Sequence, residues 1–233
     1  MIEVNHITGV NTFNVEQGTE EWLYNRSGVI TASRVHDIIK SGRGRNGYSE
    51  CRESYMHELI GQVCTGETLS PSNFKQAEWG HMNEELARDS FEAINMCIIT
   101  QCGMIYKDKS LRCGISPDGL LMSEEEGLEI KSPYTTKVHI DFLLDGKIKP
   151  EYVTQVQYSM WVSGFKKWHF CSYDNRMRGG VDNRLAVKII EPDEVIFKRL
   201  DKEIPLFIEE MDSKLLKLGF EFGDQWKEEK QND

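Results

Sequence analysis

The segment between residues 116 and 131 places carboxylates and a lysine at a spacing suited to hydrolysing a phosphodiester. Glu129 follows Asp118 by eleven positions, and Lys131 lies two positions further on. Hydrolysis builds negative charge on the phosphoryl oxygens, so the site needs divalent cations held by hard oxygen ligands. The ammonium of Lys131 could orient an attacking water or stabilise the pentavalent phosphorus. These residue types predict a metal-dependent nuclease.

A β-hairpin would bring the three side chains together. Two short apolar segments flank the polar run 123–127, whose last residue is glycine, as in strands joined by a turn. Because side chains alternate along a strand, Glu129 and Lys131 share one face, whereas Ile130 points into the core and its carbonyl oxygen can join the metal ligands. If burial and the metal lower the pKa of Lys131, it could also take the proton of the water.

The same residues have a common structural interpretation. Pro117-Asp118-Gly119 is also the sequence of an ordinary turn, and Glu-x-Lys that of an exposed strand end. Each fragment alone is frequent in proteins, so only their order across a predicted hairpin favours the catalytic interpretation.

Length and composition limit the alternatives. With 233 residues, 39% hydrophobic and 28% charged, the chain is typical of a globular protein, and we expect a single domain over residues 1–233 rather than two small ones. It has no apolar run long enough to span a membrane and no basic, apolar signal at its start, which predicts a cytoplasmic protein. The six cysteines form no Cys-x-x-Cys pair, so we expect reduced thiols and neither structural zinc nor an iron–sulfur cluster.

Charge is unevenly distributed along the chain. The net charge is −10, which is unusual for a protein that must bind the DNA backbone. Residues 26–52 nevertheless hold six basic and two acidic residues, whereas the part from residue 191 onward holds thirteen acidic and seven basic ones. An acidic exterior with one basic segment suggests DNA held in a restricted groove or channel. Within this segment, the loop 41–47 with Arg43 and Arg45 is either a DNA-gripping loop or a solvated flexible one.

Periodicity predicts an α/β protein with one central mixed sheet flanked by helices. Predicted helices cover 19–28, 31–40, 50–64, 73–95, 150–163 and 193–218, and predicted strands cover 97–106, 111–115, 118–122, 127–131, 165–174 and 184–190. Only the last residues, 227–233, have the composition of a disordered segment.

Several blocks of sequence occur in the order found in the bacteriophage lambda exonuclease family. They are Gly28-Val29-Ile30-Thr31-Ala32-Ser33, Glu78-Trp79-Gly80 with Glu84, Ser116-Pro117-Asp118-Gly119, Leu128-Glu129-Ile130-Lys131-Ser132-Pro133, Gln155-Val156-Gln157-Tyr158-Ser159-Met160-Trp161 and Gly219-Phe220-Glu221-Phe222-Gly223-Asp224-Gln225-Trp226. The resemblance covers nearly the whole chain, and the ordered blocks are far more specific than the catalytic motif alone.

This resemblance implies a restriction-endonuclease-like fold and a ring-shaped homotrimer that threads linear double-stranded DNA. It further implies Mg²⁺-dependent digestion of one strand from a 5′-phosphorylated end, with two metal ions per site and Mn²⁺ as a possible substitute. The products would be mononucleotides and a 3′ single strand, which a single-strand annealing protein would use in recombination. A ring would also explain the charge pattern, because the basic segment would be repeated three times around its channel.

The resemblance also assigns roles to individual residues. Asp118, Glu129 and the Ile130 carbonyl match the metal ligands of the family, and Lys131 matches its catalytic lysine. Glu84 matches a further metal ligand, although Glu85 beside it cannot be separated by periodicity. Residues matched to the pocket that grips the 5′-terminal phosphate are Arg26, Ser33, Gln157 and Ser116. Since Gln155 and Gln157 lie two apart on a predicted helix, only one of them should reach the DNA.

One departure and two rival functions accompany this assignment. At the place where the family carries an apolar wedge that separates the terminal base pair, this chain has the small Ala77. Phe74 or another residue would have to take that role, which we leave unassigned. The same catalytic residues could serve a structure-specific or non-specific endonuclease, and the chain could also be a DNA-binding ring without catalysis.

Overall fold

The computed structural model of the protein describes residues 2–44, 47–67 and 74–227. Its first helix, α1 (Glu20–Arg26), begins where the sequence predicts, because the side chain of Thr19 accepts a hydrogen bond from the backbone of Trp22. The predicted helix over 31–40 is shorter than expected. Only Val35–Ile39 is helical (α2), while Ile30–Thr31 forms strand β1.

Strand β1 replaces the first turn of the predicted helix because tertiary partners satisfy its backbone. Ile30 N donates to Arg112 O at 2.9 Å, and Thr31 N donates to the Tyr55 hydroxyl at 3.1 Å. Helices α3 (Glu50–Thr65) and α4 (Phe74–Asn95) follow at the predicted places. Gly66 ends α3 with a φ of 67°, a conformation that favours glycine.

Six further strands complete two hydrogen-bonded sheets. They are β2 (Ile105–Tyr106), β3 (Cys113–Ile115), β4 (Gly119–Leu121), β5 (Glu126–Lys131), β6 (Lys167–Tyr173) and β7 (Leu185–Ile190). One sheet has the order β1-β3-β2 and the other β4-β5-β6-β7. Of the strand predicted over 97–106, only β2 and an isolated bridge between Thr100 and Leu120 are formed in the structure.

The catalytic motif lies on the predicted hairpin. Strands β4 and β5 pair antiparallel with Gly119 opposite Leu128, and β5 continues the sheet by parallel pairing with β6. Gly127 belongs to β5 rather than to the turn, where Glu125 adopts a φ of 56°. A Cβ on Gly127 would lie 2.4 Å from the buried Trp168 ring, so glycine lets this ring pack flat on β5.

Helices cover the sheets and complete the core. They are α5 (Thr136–Asp145), α6 (Pro150–Ser163), α7 (Val181–Arg184) and α8 (Glu194–Leu218). The bounds of α6 and α8 agree with prediction, whereas α5 and α7 lie where no element was predicted. Ala87 and Phe91 on α4 pack with Leu128 and Ile130 of β5 in one buried cluster. This packing fixes α4 beside the end of β5.

The α/β class and the mixed sheets flanked by helices are therefore confirmed. The strands form two hydrogen-bonded sheets rather than the single central sheet expected from the sequence. All six cysteines are free thiols. Within the described residues, no helix is both long and apolar enough to cross a bilayer. Disorder was predicted for 227–233, of which 228–233 lie outside the described residues, while Lys227 forms an ion pair with Asp224 at 2.6 Å.

Candidate active site

Asp118 is held from two sides at the start of β4. One oxygen of its carboxylate accepts a hydrogen bond from the Ile130 backbone N–H at 2.6 Å. Its carbonyl oxygen accepts from Nε of Arg88 at 3.1 Å. Burial raises the pKa of Asp118, and the charge of Lys131 opposes this only in part. The residue therefore joins β4, β5 and α4 at one point.

Glu129 and Lys131 lie on the same face of β5, as alternation predicts, and form a contact ion pair. Glu129 is 2% exposed, and Nε2 of Gln155 donates to the same carboxylate oxygen at 2.6 Å. Burial is the main cause that raises the pKa of Glu129 to about 7. A carboxyl group in this environment is costly to ionise unless cations lie close to it.

Lys131 keeps its proton in this arrangement. Burial lowers the pKa of its ammonium, but the charges of Glu129 and Asp118 together raise the pKa above its ordinary value. The hypothesis that Lys131 takes a proton from water thus finds no support in these contacts. Its charge suits a role in orienting water or stabilising phosphoryl oxygens.

Glu84, rather than Glu85, faces Asp118. It lies on α4 and accepts from Nη2 of Arg88 at 2.6 Å, four residues further along the helix. Burial and then the charge of Asp118 raise the pKa of Glu84 to about 7. Glu85 is exposed. Geometry thus favours Glu84 as the third carboxylate of the site.

The chemistry of the donor set suits a hard divalent cation, whereas the spacing of these side chains in this structure does not. Glu84, Asp118 and Glu129 are carboxylates whose pKa values are all raised, and a divalent cation would favour their ionised forms. In the part of the chain that the structure describes, no three acidic, histidine or cysteine side chains are grouped closely enough to hold a metal. One carboxylate oxygen of Glu129, which is expected to be a metal ligand, accepts hydrogen bonds from Lys131 and from Gln155.

Two clefts meet at this cluster, because Glu84 and Asp118 line both. The first has a volume of about 520 Å³ and is also lined by Lys131, Tyr134 and Lys149. The second has a volume of about 880 Å³, and its lining includes Gln17, Trp22, Arg88 and Pro117. A strand of nucleic acid could therefore enter from one side of the carboxylates and continue on the other.

Three residues meet beside the second cleft. The guanidinium of Arg26 lies 4.2 Å from the centre of the Trp22 ring, and Nε1 of Trp22 donates to the Ser116 hydroxyl at 3.0 Å. Burial lowers the pKa of Arg26, yet no described carboxylate forms an ion pair with it. Such a cation is suited to binding an anion. Ser33 is exposed at the turn after β1, and none of its hydrogen bonds within the described residues joins it to this group.

The structure does not bring Gln157 to the group of Arg26, Trp22 and Ser116. Its Nε2 donates to the Glu191 carbonyl at 2.8 Å, its Oε1 accepts from Asp193 N at 2.8 Å, and it is 2% exposed. The two-residue offset on α6 instead turns Gln155 toward Glu129. Only one of the two glutamines was expected to reach the DNA, and the resemblance had pointed to Gln157 rather than to Gln155.

In the described part of the chain, two of the six basic residues in the segment 26–52 are paired with acids. Arg34 binds Glu58 at 2.6 Å and Asp37 at 3.0 Å. Arg52 is buried and binds Glu210 at 2.6 Å. Arg43 is exposed on its loop, and Arg45 lies outside the described residues. The side chains of Ala77 and Phe74 also lie outside them, so the wedge stays unassigned.

Sequence reasoning gave no role to Trp22 or Arg88. Both have a readable signal, since Trp22 and Arg26, like Glu84 and Arg88, are four residues apart on a helix and share its face. The sequence does not show that each pair also contacts the segment 116–118, because those contacts join elements far apart in the chain.

Comparison with known proteins agrees with this geometry. Residues 21–166 match the YqaJ-like viral recombinase domain. The chain belongs to the YqaJ-like viral recombinase family. The crystal structure of the alkaline exonuclease LHK-Exo in complex with dAMP is 34% identical, with a TM-score of 0.75, and the match covers 86% of this chain and 96% of that one. A second structure of LHK-Exo, from Laribacter hongkongensis, is 32% identical over the same shares, with a TM-score of 0.74.

Two further relatives complete the comparison. The ExoD protein of Escherichia coli (strain K12) is 44% identical over 80 residues, which are 34% of this chain and 88% of that protein. A phage-related exonuclease from Haemophilus somnus 129PT is 13% identical with a TM-score of 0.62, over 82% of this chain and 96% of that one, and indicates the fold alone. The restriction-endonuclease-like fold and membership of the phage-type exonuclease family, both expected from the sequence, are confirmed.

Proposed function

We propose that this member of the YqaJ-like viral recombinase family is a Mg²⁺-dependent exonuclease of linear double-stranded DNA. It would digest one strand in the 5′-to-3′ direction from a phosphorylated end and release mononucleotides. One observation carries the proposal. The carboxylates Glu84 and Asp118 line two adjoining clefts. The guanidinium of Arg26 forms no ion pair with a described residue and contacts Trp22, which lines the second cleft.

This arrangement supports an enzyme that recognises the 5′-phosphorylated end of a strand. A terminal phosphate carries more negative charge than an internal one, so a half-buried guanidinium with no carboxylate partner among the described residues would favour it. The Ser116 hydroxyl, held by Trp22 at 3.0 Å, is a further hydrogen-bonding group for phosphate oxygens. A 5′-phosphate anchored here would leave the next phosphodiester at the carboxylates.

The residues of the chain can then perform most of the positioning. The ammonium of Lys131, kept protonated by Glu129 and Asp118, would donate hydrogen bonds to a water or to a non-bridging phosphoryl oxygen. Attack of the water oxygen on phosphorus forms one P–O bond and breaks the bond to the 3′-oxygen of the terminal nucleotide, which leaves as a hydroxyl after gaining a proton. Arg88 and the Ile130 N–H keep Asp118 in place.

Asp118, Glu129, Glu84 and the Ile130 carbonyl are the groups that would hold the divalent ions. When bound, these ions would lower the pKa of a coordinated water and neutralise charge on the phosphoryl group. Arg88 on Glu84, and Gln155 on Glu129, would orient the ligand carboxylates.

Relatives and charge support the remaining parts of the proposal. LHK-Exo, at 34% identity, is an alkaline exonuclease crystallised with dAMP, a deoxynucleoside monophosphate of the kind such a reaction releases. The net charge of −10 would make an open binding surface repel DNA, which favours an enclosed path such as a ring-shaped homotrimer. The 3′ strand left behind would be the substrate of a single-strand annealing protein.

Digestion of end-labelled DNA tests this function. Linear duplex DNA labelled at the 5′ or at the 3′ end would be incubated with and without Mg²⁺, alongside a closed circular duplex. We expect early release of the 5′ label as a mononucleotide, only with Mg²⁺, and an intact circle. Cleavage of the circle would favour the endonuclease alternative. Early release of the 3′ label would contradict the proposed 5′-to-3′ polarity, and digestion without divalent ions would contradict the proposed dependence on Mg²⁺.

A further inference from the structure

Tyr134 is an aromatic side chain in an unusual setting. It is 56% exposed, and every other aromatic side chain that the structure describes is buried or half-buried. Its hydroxyl makes no hydrogen bond to the described residues. Exposed aromatic rings at a concave surface commonly serve binding, because they present a large apolar face at small entropic cost.

The ring stands on a rigid support. It packs edge-on against Trp79, with the ring centres 6.2 Å apart and an interplanar angle of 85°. Arg176 donates to the carbonyl oxygens of Tyr134 and Pro133, both at 3.0 Å, and its guanidinium covers the Trp79 ring at 4.5 Å. Asp174, whose side chain is fully buried, anchors Arg176. This frame, formed by Trp79, Arg176 and Asp174, fixes the backbone that presents Tyr134.

Tyr134 lines the first cleft together with Asp118 and Lys131. Lys149 lines the same cleft, and no described carboxylate forms an ion pair with it. A cleft with an exposed ring, free positive charge and the cleavage site has the elements that proteins use to hold a single nucleic acid strand, namely stacking for bases and cations for phosphates.

From these contacts we propose that Tyr134 is a positioning residue that stacks on the base of the second nucleotide, next to the scissile phosphate on its 3′ side. This inference rests on the proposed function, in which the terminal nucleotide occupies the second cleft. The carboxylates lie between the clefts, so the nucleotide that follows the scissile phosphate enters the first cleft, where Tyr134 stands.

The physical reason for such a contact is the stacking that the end of the duplex loses. When the terminal nucleotide leaves the stack to reach the second cleft, the outer face of the next base is uncovered. A fixed aromatic ring can replace the lost neighbour, and this interaction tolerates any base because each has a π-face. The ring would therefore also keep the terminal pair from closing again.

Three substrates and three variants test the inference. The duplexes would be intact or would carry an abasic site at the second or at the sixth nucleotide, and the proteins would be wild type, Tyr134→Ala and Tyr134→Phe. The control Leu144→Ala removes a side chain that is 78% exposed on the neighbouring helix α5 and outside the cleft. In single-turnover digestion with Mg²⁺, we expect Tyr134→Ala to raise the apparent KM about tenfold with little change in kcat.

Stacking predicts a specific pattern that a structural defect would not give. An abasic second nucleotide should raise the apparent KM of wild type and of Tyr134→Phe about tenfold, but it should not change the apparent KM of Tyr134→Ala. An abasic sixth nucleotide should change the apparent KM of none of these proteins. Equal sensitivity of wild type and Tyr134→Ala to the abasic second nucleotide would overturn the inference, as would wild-type kinetics of Tyr134→Ala on intact DNA.

A binding measurement separates this inference from the proposed function. A duplex with 2-aminopurine at the second position would be titrated with protein in EDTA, where no hydrolysis interferes. We expect quenching by wild type and by Leu144→Ala, and none by Tyr134→Ala. Quenching that does not depend on Tyr134 would refute the stacking role even if 5′-to-3′ digestion holds, and failed digestion would not alter this readout.

Discussion

Replacing Glu84 by glutamine should stabilise the metal-free protein at alkaline pH. Burial and the charge of Asp118 raise the pKa of Glu84 from its ordinary value near 4.5 to about 7. A carboxyl group with a raised folded-state pKa contributes stability below its ordinary pKa, and this contribution is lost as pH rises through the folded-state value. Between pH 4.5 and pH 7, wild type should therefore lose stability that Glu84→Gln keeps.

The size of the effect follows from the shift. A difference of about 2.5 pKa units corresponds to roughly 3 kcal/mol at ~1.4 kcal/mol per unit. Because the Glu84 side chain keeps 30% of its exposure, solvent screening reduces this figure, and we expect about 1–3 kcal/mol. In a domain of this size, this corresponds to roughly 2–10 °C in melting temperature. The amide oxygen of glutamine can still accept the hydrogen bond from Arg88.

Thermal unfolding in EDTA from pH 4 to pH 9 checks this expectation. Glu84→Gln and wild type should melt together near pH 4 and diverge up to about pH 8, with the variant more stable. Mg²⁺ should then stabilise wild type at pH 8 more than the variant. The exposed neighbour supplies the control Glu85→Gln, which should follow wild type. A Glu84→Gln protein that is less stable at every pH would refute the reasoning and show that Glu84 serves mainly to pair Arg88.

Four further substitutions, with Arg43→Ala as a control, test individual contacts. Lys131→Ala should lower kcat at least about 100-fold while circular dichroism stays native, and wild-type turnover would exclude its catalytic role. Arg26→Ala should abolish the preference for 5′-phosphorylated over 5′-hydroxyl ends, measured as the ratio of their digestion rates, whereas the exposed Arg43→Ala should keep that ratio. Gln155→Ala should lower kcat roughly 10-fold or more by freeing Glu129, whereas Gln157→Ala should lower the free energy of unfolding by about 1–3 kcal/mol with kcat retained. A lower kcat in Gln157→Ala together with a lower free energy of unfolding in Gln155→Ala would contradict the hydrogen bonds described for α6.

Local patterns of sequence predicted the catalytic strand well. Alternation along β5 placed Glu129 and Lys131 on one face, and the predicted hairpin brought Asp118 to them. These two predictions succeeded because alternation and hairpin formation depend on residues that are close in sequence. The prediction that a helix begins at Thr31 was wrong because β1 pairs with β3, which is distant in sequence. Helix α5 was missed between Pro133 and the glycine at 146, although that glycine ends it in the left-handed conformation.

Long-range contacts account for the rest of what the sequence left undecided. Which of Gln155 and Gln157 faces Glu129 depends on the rotation of α6 against β5, and no pattern within α6 fixes that rotation. The basic segment also carries less free charge than its composition suggests, because Arg34 and Arg52 are paired with glutamates 24 and 158 positions away.

The anchoring of Asp118 and Glu129 has a consequence for the synthesis of the protein. Arg88 reaches Asp118 across 30 positions, and Gln155 reaches Glu129 across 26, so the site is assembled from segments that leave the ribosome at different times. A nascent chain that stops before residue 155 lacks one of these anchors. Recovery of nuclease activity during refolding should therefore report docking of α6 and α4 onto the sheet.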